Sequence, residues 1–91
     1  MATIHIPTPL RAYTGGNASV TVDGATGGDA LNALTGTHTG LAQHLRDASG
    51  KLRSFVNVYV GDEDIRYLQN EATPVQASTE ITIVPSIAGG V

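Results

Sequence analysis

In SFVNVYVGDEDI, residues 54–65, valines alternate with aromatic or polar side chains, and this alternation is more regular than elsewhere in the 91-residue chain. An alternation with a period of two places successive side chains on opposite faces of a strand. The two faces carry Val56, Val58 and Val60 on one side and Phe55, Asn57 and Tyr59 on the other. Apolar side chains on both faces predict a central strand of a sheet. Gly61 and Asp62 then predict a turn into a short strand within DIRYL, residues 64–68.

Two shorter runs near the start of the chain have the same alternation. ATIHIP, residues 2–7, and ASVTVDG, residues 18–24, each predict a strand with valine or isoleucine at every second position. Gly15 and Gly16 lie between these runs, and glycines adopt the positive φ that a hairpin turn requires. The sequence therefore predicts an N-terminal hairpin.

A last strand is predicted close to the end of the chain. In EITIVP, residues 80–85, Ile81 and Ile83 are expected to point inward, and Pro85 is expected to end the strand. The preceding segment, residues 69–79, is rich in turn-forming residues and is predicted to be a loop.

The middle third of the chain has helical rather than strand spacing. Apolar residues in ATGGDALNAL, residues 25–34, recur on one helical face, and Thr26 or Asp29 is predicted to cap the helix. LAQHLRD, residues 41–47, predicts a second helical piece. The glycines between 36 and 40 are expected to break the helix.

These elements follow the order β-β-α-β-β-β, in which the one main helix lies between two hairpin-like halves. Such a helix has to pack on one face of the sheet. The order predicts an α+β fold of the ubiquitin-like β-grasp type, with a mixed sheet of four to five strands. The chain has the length of a single domain, which we assign to residues 1–85.

Composition excludes several classes of function. The formal net charge is −3, and the basic residues are scattered along the sequence, so neither nucleic acid nor an anionic membrane is expected as a partner. Cysteine is absent, which excludes disulfides, cysteine–zinc sites and thiol nucleophiles. No leader-like segment or membrane-spanning apolar run is recognisable, so the cytoplasm is the expected location.

Other residues that could bind a ligand or take part in catalysis are predicted to have structural roles instead. Gly27 and Gly28 lack the spacing of a phosphate-binding loop and predict a plain strand-to-helix loop. The acidic residues 62–64 predict a solvated turn rather than a cation site. The histidines lack the spacing of zinc ligands; they are His5, His38 and His44. No serine has the surroundings of a catalytic nucleophile, so the chain is not expected to be an enzyme.

The segment SIAGGV, residues 86–91, is the remaining functional candidate, and we expect it to be a flexible tail. Its first five residues could extend roughly 16 Å at about 3.3 Å per residue, far enough to enter a partner's active site. Gly89 and Gly90 have no side chain to block a narrow tunnel, and the Gly90 carbonyl is unhindered. Ile87 and the small Ala88 precede them, and Ile87 is a candidate anchor. The competing interpretation is a frayed terminus without function.

Three stretches together resemble the ThiS/MoaD family of prokaryotic sulfur carriers, and most closely its cysteine-biosynthesis branch. They are IPTPLRAYTGG (6–16), KLRSFVNVYVGDEDIR (51–66) and ITIVPSIAGG (81–90). The sequence departs from the family in two places. Residues 78–80 replace the usual Asp-Gly-Asp-like turn, and Val91 follows the diglycine.

The resemblance implies that an adenylating enzyme of the ubiquitin-activating type uses ATP to activate the Gly90 carboxylate. Sulfide then converts the activated glycine into a C-terminal thiocarboxylate. In the cysteine-biosynthesis branch, a pyridoxal-phosphate-dependent cysteine synthase is the acceptor, and a zinc metalloprotease releases the product. The resemblance also implies that the carrier itself binds neither metal nor pyridoxal phosphate.

The extra residue suggests a processing step. We expect the Gly90–Val91 bond to be cleaved by a metalloprotease of that kind before activation. Other thiolation routes of the family, for thiazole, molybdopterin, homocysteine or tRNA, stay open. Two further possibilities are a protein modifier joined to lysines through Gly90 and a β-grasp binding module with an incidental tail.

Overall fold

A computed structural model describes residues 1–53 and 56–85, which form one mixed sheet with helices on one side. The five strands lie in the order β2-β1-β5-β3-β4. They are β1 (Ala2–His5), β2 (Ser19–Val22), β3 (Val56–Val60), β4 (Glu63–Asp64) and β5 (Glu80–Pro85). β1 and β5 are parallel, and the other pairs are antiparallel. The predicted strand order and mixed sheet are confirmed.

The helical residues lie mainly between β2 and β3. The main helix is α1 (Gly27–Thr37), and α2 (Ala42–Leu45) is a single short turn. The 3₁₀ helices are Thr8–Thr14, Thr39–Leu41, Ile65–Tyr67 and Asn70–Ala72. The predicted break between residues 36 and 40 is confirmed, because α1 ends at Thr37 and the backbone leaves the helical region at His38.

The N-terminus of α1 is capped by Thr26, whose hydroxyl accepts a 3.1 Å hydrogen bond from the Asp29 backbone N–H. Thr26→Ala should lower the free energy of unfolding by about 1 kcal/mol, because that N–H loses its partner at the helix start. Thr26→Ser keeps the hydroxyl and should lower the free energy of unfolding much less. Urea denaturation of both variants measures the difference, and equal losses would contradict a capping role.

Of two predictions about the β3–β4 region, one is confirmed and one needs correction. β3 is a central strand, as predicted, because β5 and β4 flank it. DIRYL contributes only Asp64 to a strand, because the Asp64 carboxylate accepts a 2.8 Å hydrogen bond from the Arg66 N–H and starts a 3₁₀ turn. Phe55, predicted on the outer face of the strand, lies outside the described residues.

The two glycines at residues 27 and 28 form the first turn of α1 rather than a loop. Both are buried. A Cβ on Gly28 would lie 2.9 Å from the Glu71 Cβ and 3.0 Å from the Glu71 carbonyl oxygen. Glycine is therefore required where the helix start approaches the 3₁₀ helix Asn70–Ala72. Gly15 and Gly16 have φ of 67° and 87°, which confirms the predicted turn chemistry.

The core lies between the sheet and α1, as predicted. Its fully buried side chains alternate along the strands and follow the inner face of the helix; they include Ile4, Ile81, Ile83, Val56, Val58, Leu31 and Leu34. Alternate residues on β5 point to the other face, where Val84 is 42% exposed. One sheet face is therefore covered by the helix, and the other carries partly exposed side chains.

Candidate functional site

The predicted site residues Ile87, Ala88, Gly89, Gly90 and Val91 lie outside the described residues. The structure describes the end of β5, and the chain continues from there into these site residues. Because β5 is paired with β1 on one side and β3 on the other, this strand end is held in the middle of the sheet.

The end of the sheet at which β5 finishes is named the exit end, and it is formed by Ile6, Val56 and Pro85. Pro85 is the partner of Val56 across the β3–β5 ladder. On the other side, His5 is the partner of Thr82 in the parallel ladder, and Ile6 directly follows β1. Parallel strands finish at the same end of a sheet. β5 is therefore paired with β3 up to Pro85, whereas its pairing with β1 ends at Thr82.

Arg66 supports the edge of the exit end. Its Nη2 donates a 2.8 Å hydrogen bond to the Val56 carbonyl, and its Nη1 donates a 2.8 Å bond to Asn57 Oδ1. β4 pairs only with Tyr59 and Val60 of β3. The guanidinium group thus provides a hydrogen-bond donor for the Val56 carbonyl, which lies on the part of β3 that does not pair with the short strand β4.

Two further arginines reach the same end of the sheet. The Arg53 carbonyl accepts a 3.0 Å hydrogen bond from the Val56 N–H, and the Arg53 Nε donates to the Gln43 carbonyl at 2.9 Å. The Arg11 Nε donates to the Ile6 carbonyl at 3.0 Å. These two side chains thus donate to backbone carbonyls, one directly after β1 and one in α2.

The loop that contains Asp47, Ser49 and Lys51 lies close to Arg53. The pKa of the Asp47 carboxyl is lowered from its ordinary value, first by a hydrogen bond from the Ser49 hydroxyl and then by the Lys51 N–H. The Arg53 charge is a smaller contribution in the same direction. Asp47 therefore stays ionised at neutral pH and places one negative charge beside the exit end.

A pocket of about 200 Å³ lies behind Arg66. Its lining combines apolar side chains of the sheet with polar groups from the loop; these are Leu52, Val56, Val58, Ile65, Arg66, Asn70 and Glu71. Glu71 is held by a 2.6 Å ion pair with Arg46. Pockets that hold small substrates usually exceed about 300 Å³. Its lining offers no serine, cysteine or histidine as a nucleophile or base.

The three histidines are not brought together. His5 Nε2 lies 2.7 Å from Glu80 Oε1 on the exposed sheet face, and the His44 ring packs 4.3 Å from the Tyr13 ring. Within residues 1–53 and 56–85, no group of three metal-binding side chains occurs. The prediction that the acidic turn is solvated is only partly correct, because Asp64 is buried and caps a 3₁₀ helix.

In the described part of the chain, no helix is long and apolar enough to cross a membrane. The profile of the ThiS family matches residues 4–90, which include all of the described sheet except Ala2 and Thr3 and end on the second glycine of the diglycine. The chain belongs to the ThiS family. Membership confirms the resemblance that the three sequence stretches predicted.

Individual ThiS-family relatives agree with this assignment. The sulfur carrier protein CysO of Mycobacterium tuberculosis is 43% identical over 90 residues, covering 97% of each chain. The crystal structure of CysO from that organism matches with a TM-score of 0.87 and 40% identity, over 96% of this chain and 100% of the other. These matches confirm the β-grasp fold and a carrier-type protein rather than an enzyme.

A second solved structure contains a ThiS-family carrier with another protein. The crystal structure of the Amycolatopsis orientalis BexX/CysO complex matches with a TM-score of 0.89 and 39% identity, over 99% of this chain and 100% of that one. A protein similar to this chain therefore forms a complex with another protein, BexX.

Proposed function

We propose that this chain is a sulfur carrier that holds sulfur as a thiocarboxylate on Gly90. The observation that carries the proposal is the extent of the family match, which reaches Gly90 and stops before Val91. The near full-length identity with CysO supports the same role. The described geometry is compatible with it, because Pro85 is paired with Val56 of β3 and residue 86 follows it directly.

The first chemical step is activation of the Gly90 carboxylate by an adenylating enzyme. A carboxylate is a poor acyl donor because its leaving group would be an oxide. One carboxylate oxygen attacks the α-phosphorus of ATP, a P–O bond breaks, and pyrophosphate leaves. The resulting acyl-adenylate has AMP as a good leaving group, and glycine leaves the carbonyl carbon accessible from either side.

Sulfide then attacks that carbonyl carbon, and AMP leaves with the electrons of the broken C–O bond. The product is a thiocarboxylate at Gly90. The sulfur is carried by the backbone terminus, so no thiol side chain is required, and the sequence contains no cysteine. ATP and sulfide are substrates of the partner enzymes and need no binding site on the carrier.

Removal of Val91 precedes activation in this proposal. Hydrolysis of the Gly90–Val91 amide adds one water, releases valine and exposes the Gly90 carboxylate. A zinc metalloprotease that cleaves the amide between glycine and a newly made cysteine would act on the same kind of bond. Gly89 and Ala88 present little side-chain bulk to such an active site.

Cysteine biosynthesis is the proposed route, because CysO is 43% identical to this chain over 90 residues. The acceptor would then be an aminoacrylate on a pyridoxal-phosphate-dependent cysteine synthase. The thiocarboxylate sulfur would add to the β-carbon of the aminoacrylate, and a proton would add to its α-carbon. Once the synthase has released the amine of this thioester, the amine would attack the thioester carbonyl and displace the cysteine thiolate, which leaves cysteine amide-linked to Gly90.

One assay tests the proposed function. The chain ending at Gly90 is incubated with ATP, sulfide and the adenylating enzyme of the same organism, and its intact mass is measured. We expect the mass to increase by the difference between sulfur and oxygen. The full 91-residue chain is the matched control and should not change. Conversion of the uncut chain, or a native protein that retains Val91, would contradict the processing step.

Blots of cell extracts distinguish the carrier from a protein modifier. A carrier should appear at one mass, whereas a modifier joined to lysines through Gly90 should give a ladder of larger conjugates. A ladder without detectable thiocarboxylate would overturn the proposal.

A further inference from the structure

The two edges of the sheet differ in how they are protected against a further strand. An edge strand presents unpaired N–H and C=O groups, and proteins protect it with charges, short strands or cover. At one edge, β4 consists of Glu63 and Asp64, and both are acidic. Arg66 donates to the Val56 carbonyl on the part of β3 that β4 does not reach. This edge is therefore protected.

The opposite edge is β2, and it lacks these charges and this cover. Its residues Ser19–Val22 are all uncharged, and valine and threonine favour strands. Ser19 and Thr21 are exposed, and Val20 is half-buried. Within the described residues, pairing with another segment begins only beyond the strand, at the isolated bridge of Thr26. The outer edge of β2 is therefore open to a further strand.

The register shows which backbone groups of β2 face this edge. The Ile6 N–H donates to the Ala18 carbonyl at 2.8 Å, so these residues form a hydrogen-bonded pair that continues the β1–β2 ladder. Hydrogen-bonded and non-hydrogen-bonded pairs alternate along an antiparallel ladder. Ser19 and Thr21 occupy the alternate, non-hydrogen-bonded positions. Their N–H and C=O groups therefore point away from β1.

The hydrogen bonds on the other side of β1 agree with this register. Thr3 lies opposite Thr21, and its N–H donates to the Thr79 carbonyl at 3.1 Å, away from β2. Among the described residues, no turn, loop or side-chain hydrogen bond uses the N–H or C=O of Ser19 or Thr21. These donors and acceptors are therefore available to a further strand.

We infer that the outer edge of β2 is a docking surface for a second copy of this chain. The two copies are related by a two-fold axis, and their β2 strands pair antiparallel. Ser19 of each copy lies opposite Thr21 of the other, and each such pair exchanges both of its N–H···O=C bonds. Val20 faces Val20 of the second copy across the axis. The two five-stranded sheets then form one continuous sheet.

The side chains of β2 fit a copy of the same strand. Residues 17–22 carry no charge, and Asp23 lies opposite the neutral Asn17 in this register, so no like charges meet. Each half-buried Val20 covers the other, and the hydroxyl side chains of Ser19 and Thr21 form cross-strand pairs. A self-paired β4 would instead bring carboxylates together.

A strand of a different protein fits this edge less well. Docked peptides gain specificity from pockets that receive alternate side chains. The pocket behind Arg66 and a second one beside Arg53 are lined by residues between 42 and 71, so β2 contributes to neither. Because β1 separates β2 from β5, the end of β5 lies outside the interface. The pairing thus goes beyond the proposed function and does not depend on it.

Sedimentation equilibrium of the full chain measures the pairing. We expect a monomer–dimer equilibrium with a Kd on the order of 0.1–1 mM, because so short a strand buries less than the roughly 800 Å² per partner of stable complexes. Thr21→Pro removes an outward donor from each copy and should raise Kd at least about tenfold. Proline is tolerated on an edge strand where the N–H faces solvent.

Thr21→Val is the matched control for the proline variant. It keeps both the N–H and the strand preference, so Kd should stay within about twofold of the unchanged chain. Thermal unfolding of both variants verifies that the fold is retained.

A cysteine cross-link tests the register independently of the proline variant. The sequence contains no cysteine, so Val20→Cys introduces a single thiol. Across the axis its Cα would lie about 4.5 Å from that of the second copy, within the range of a disulfide. Val84→Cys is the control on the open face of β5, where the side chain is more accessible. With diamide, Val20→Cys should form disulfide dimers at least about tenfold faster.

Concentration-dependent dimers that Thr21→Pro weakens and Thr21→Val retains would support the inference, as would the faster cross-link at residue 20. A dimer that Thr21→Pro leaves unchanged would place the interface elsewhere and overturn it. A chain that stays monomeric at about 1 mM, with Val20→Cys cross-linking no faster than Val84→Cys, would also overturn it. If Thr21→Pro fails to fold, the comparison of the two cysteine variants decides.

Discussion

Val58→Asp is expected to unfold the protein at room temperature. Val58 is 1% exposed and pairs with Ile83 of β5, so the new carboxylate would face the apolar core. Burying an unpaired charge costs several kcal/mol, and neutralising it leaves a buried polar group without a partner. Small domains have only about 5–15 kcal/mol of stability. The substitution should therefore remove most or all of it.

Circular dichroism and thermal denaturation measure this loss. Val84→Asp is the matched control, because it places the same side chain on β5 at a position that is 42% exposed. We expect it to cost less than about 1 kcal/mol. Comparable destabilisation by the two variants would mean that the inner and outer faces of the sheet are assigned wrongly.

Deletion of Gly89, Gly90 and Val91 is expected to abolish activation and to leave the fold unchanged. The deleted residues include the proposed acyl carrier. Within residues 1–53 and 56–85, the core is formed mainly by side chains of the sheet and the helices. Gly90→Ala in the chain ending at residue 90 is a milder change. Its methyl group should slow activation about 100-fold by displacing the reacting carboxylate.

ATP–pyrophosphate exchange and thermal denaturation are measured on the same preparations. Removal of Val91 alone is the positive control and should give full exchange. If the deletion variant still acts in the cell, the tail is incidental and the protein is a binding module. A fall in thermal midpoint equal to the loss of activity would contradict the division between a folded body and a reactive tail.

The strands and the main helix were predictable because their signals are local. Ile81 and Ile83 are two residues apart and are both buried, so a period of two was sufficient to place them. Thr26 precedes the helix at the position where a side-chain oxygen reaches an unpaired N–H, and it is the observed cap. Each of these features depends on neighbours within about four residues.

The incorrect predictions concern residues whose surroundings come from distant parts of the chain. Asp64 was predicted to be solvated because its sequence neighbours are acidic, but the packing of β4 on β3 buries it. Gly28 was predicted to lie in a loop. Only the close approach of Glu71 explains why this residue has to be glycine. No local pattern carries this information.

By itself, the sequence determined the element order, the inward side chains and the diglycine segment that predicted family membership. These depend on side-chain periodicity and on short motifs, which are properties of consecutive residues. The tertiary structure alone decided that β5 lies between β1 and β3 and that Glu71 approaches Gly28. Both arrangements join residues from the two halves of the chain, so neither can be read from sequence spacing.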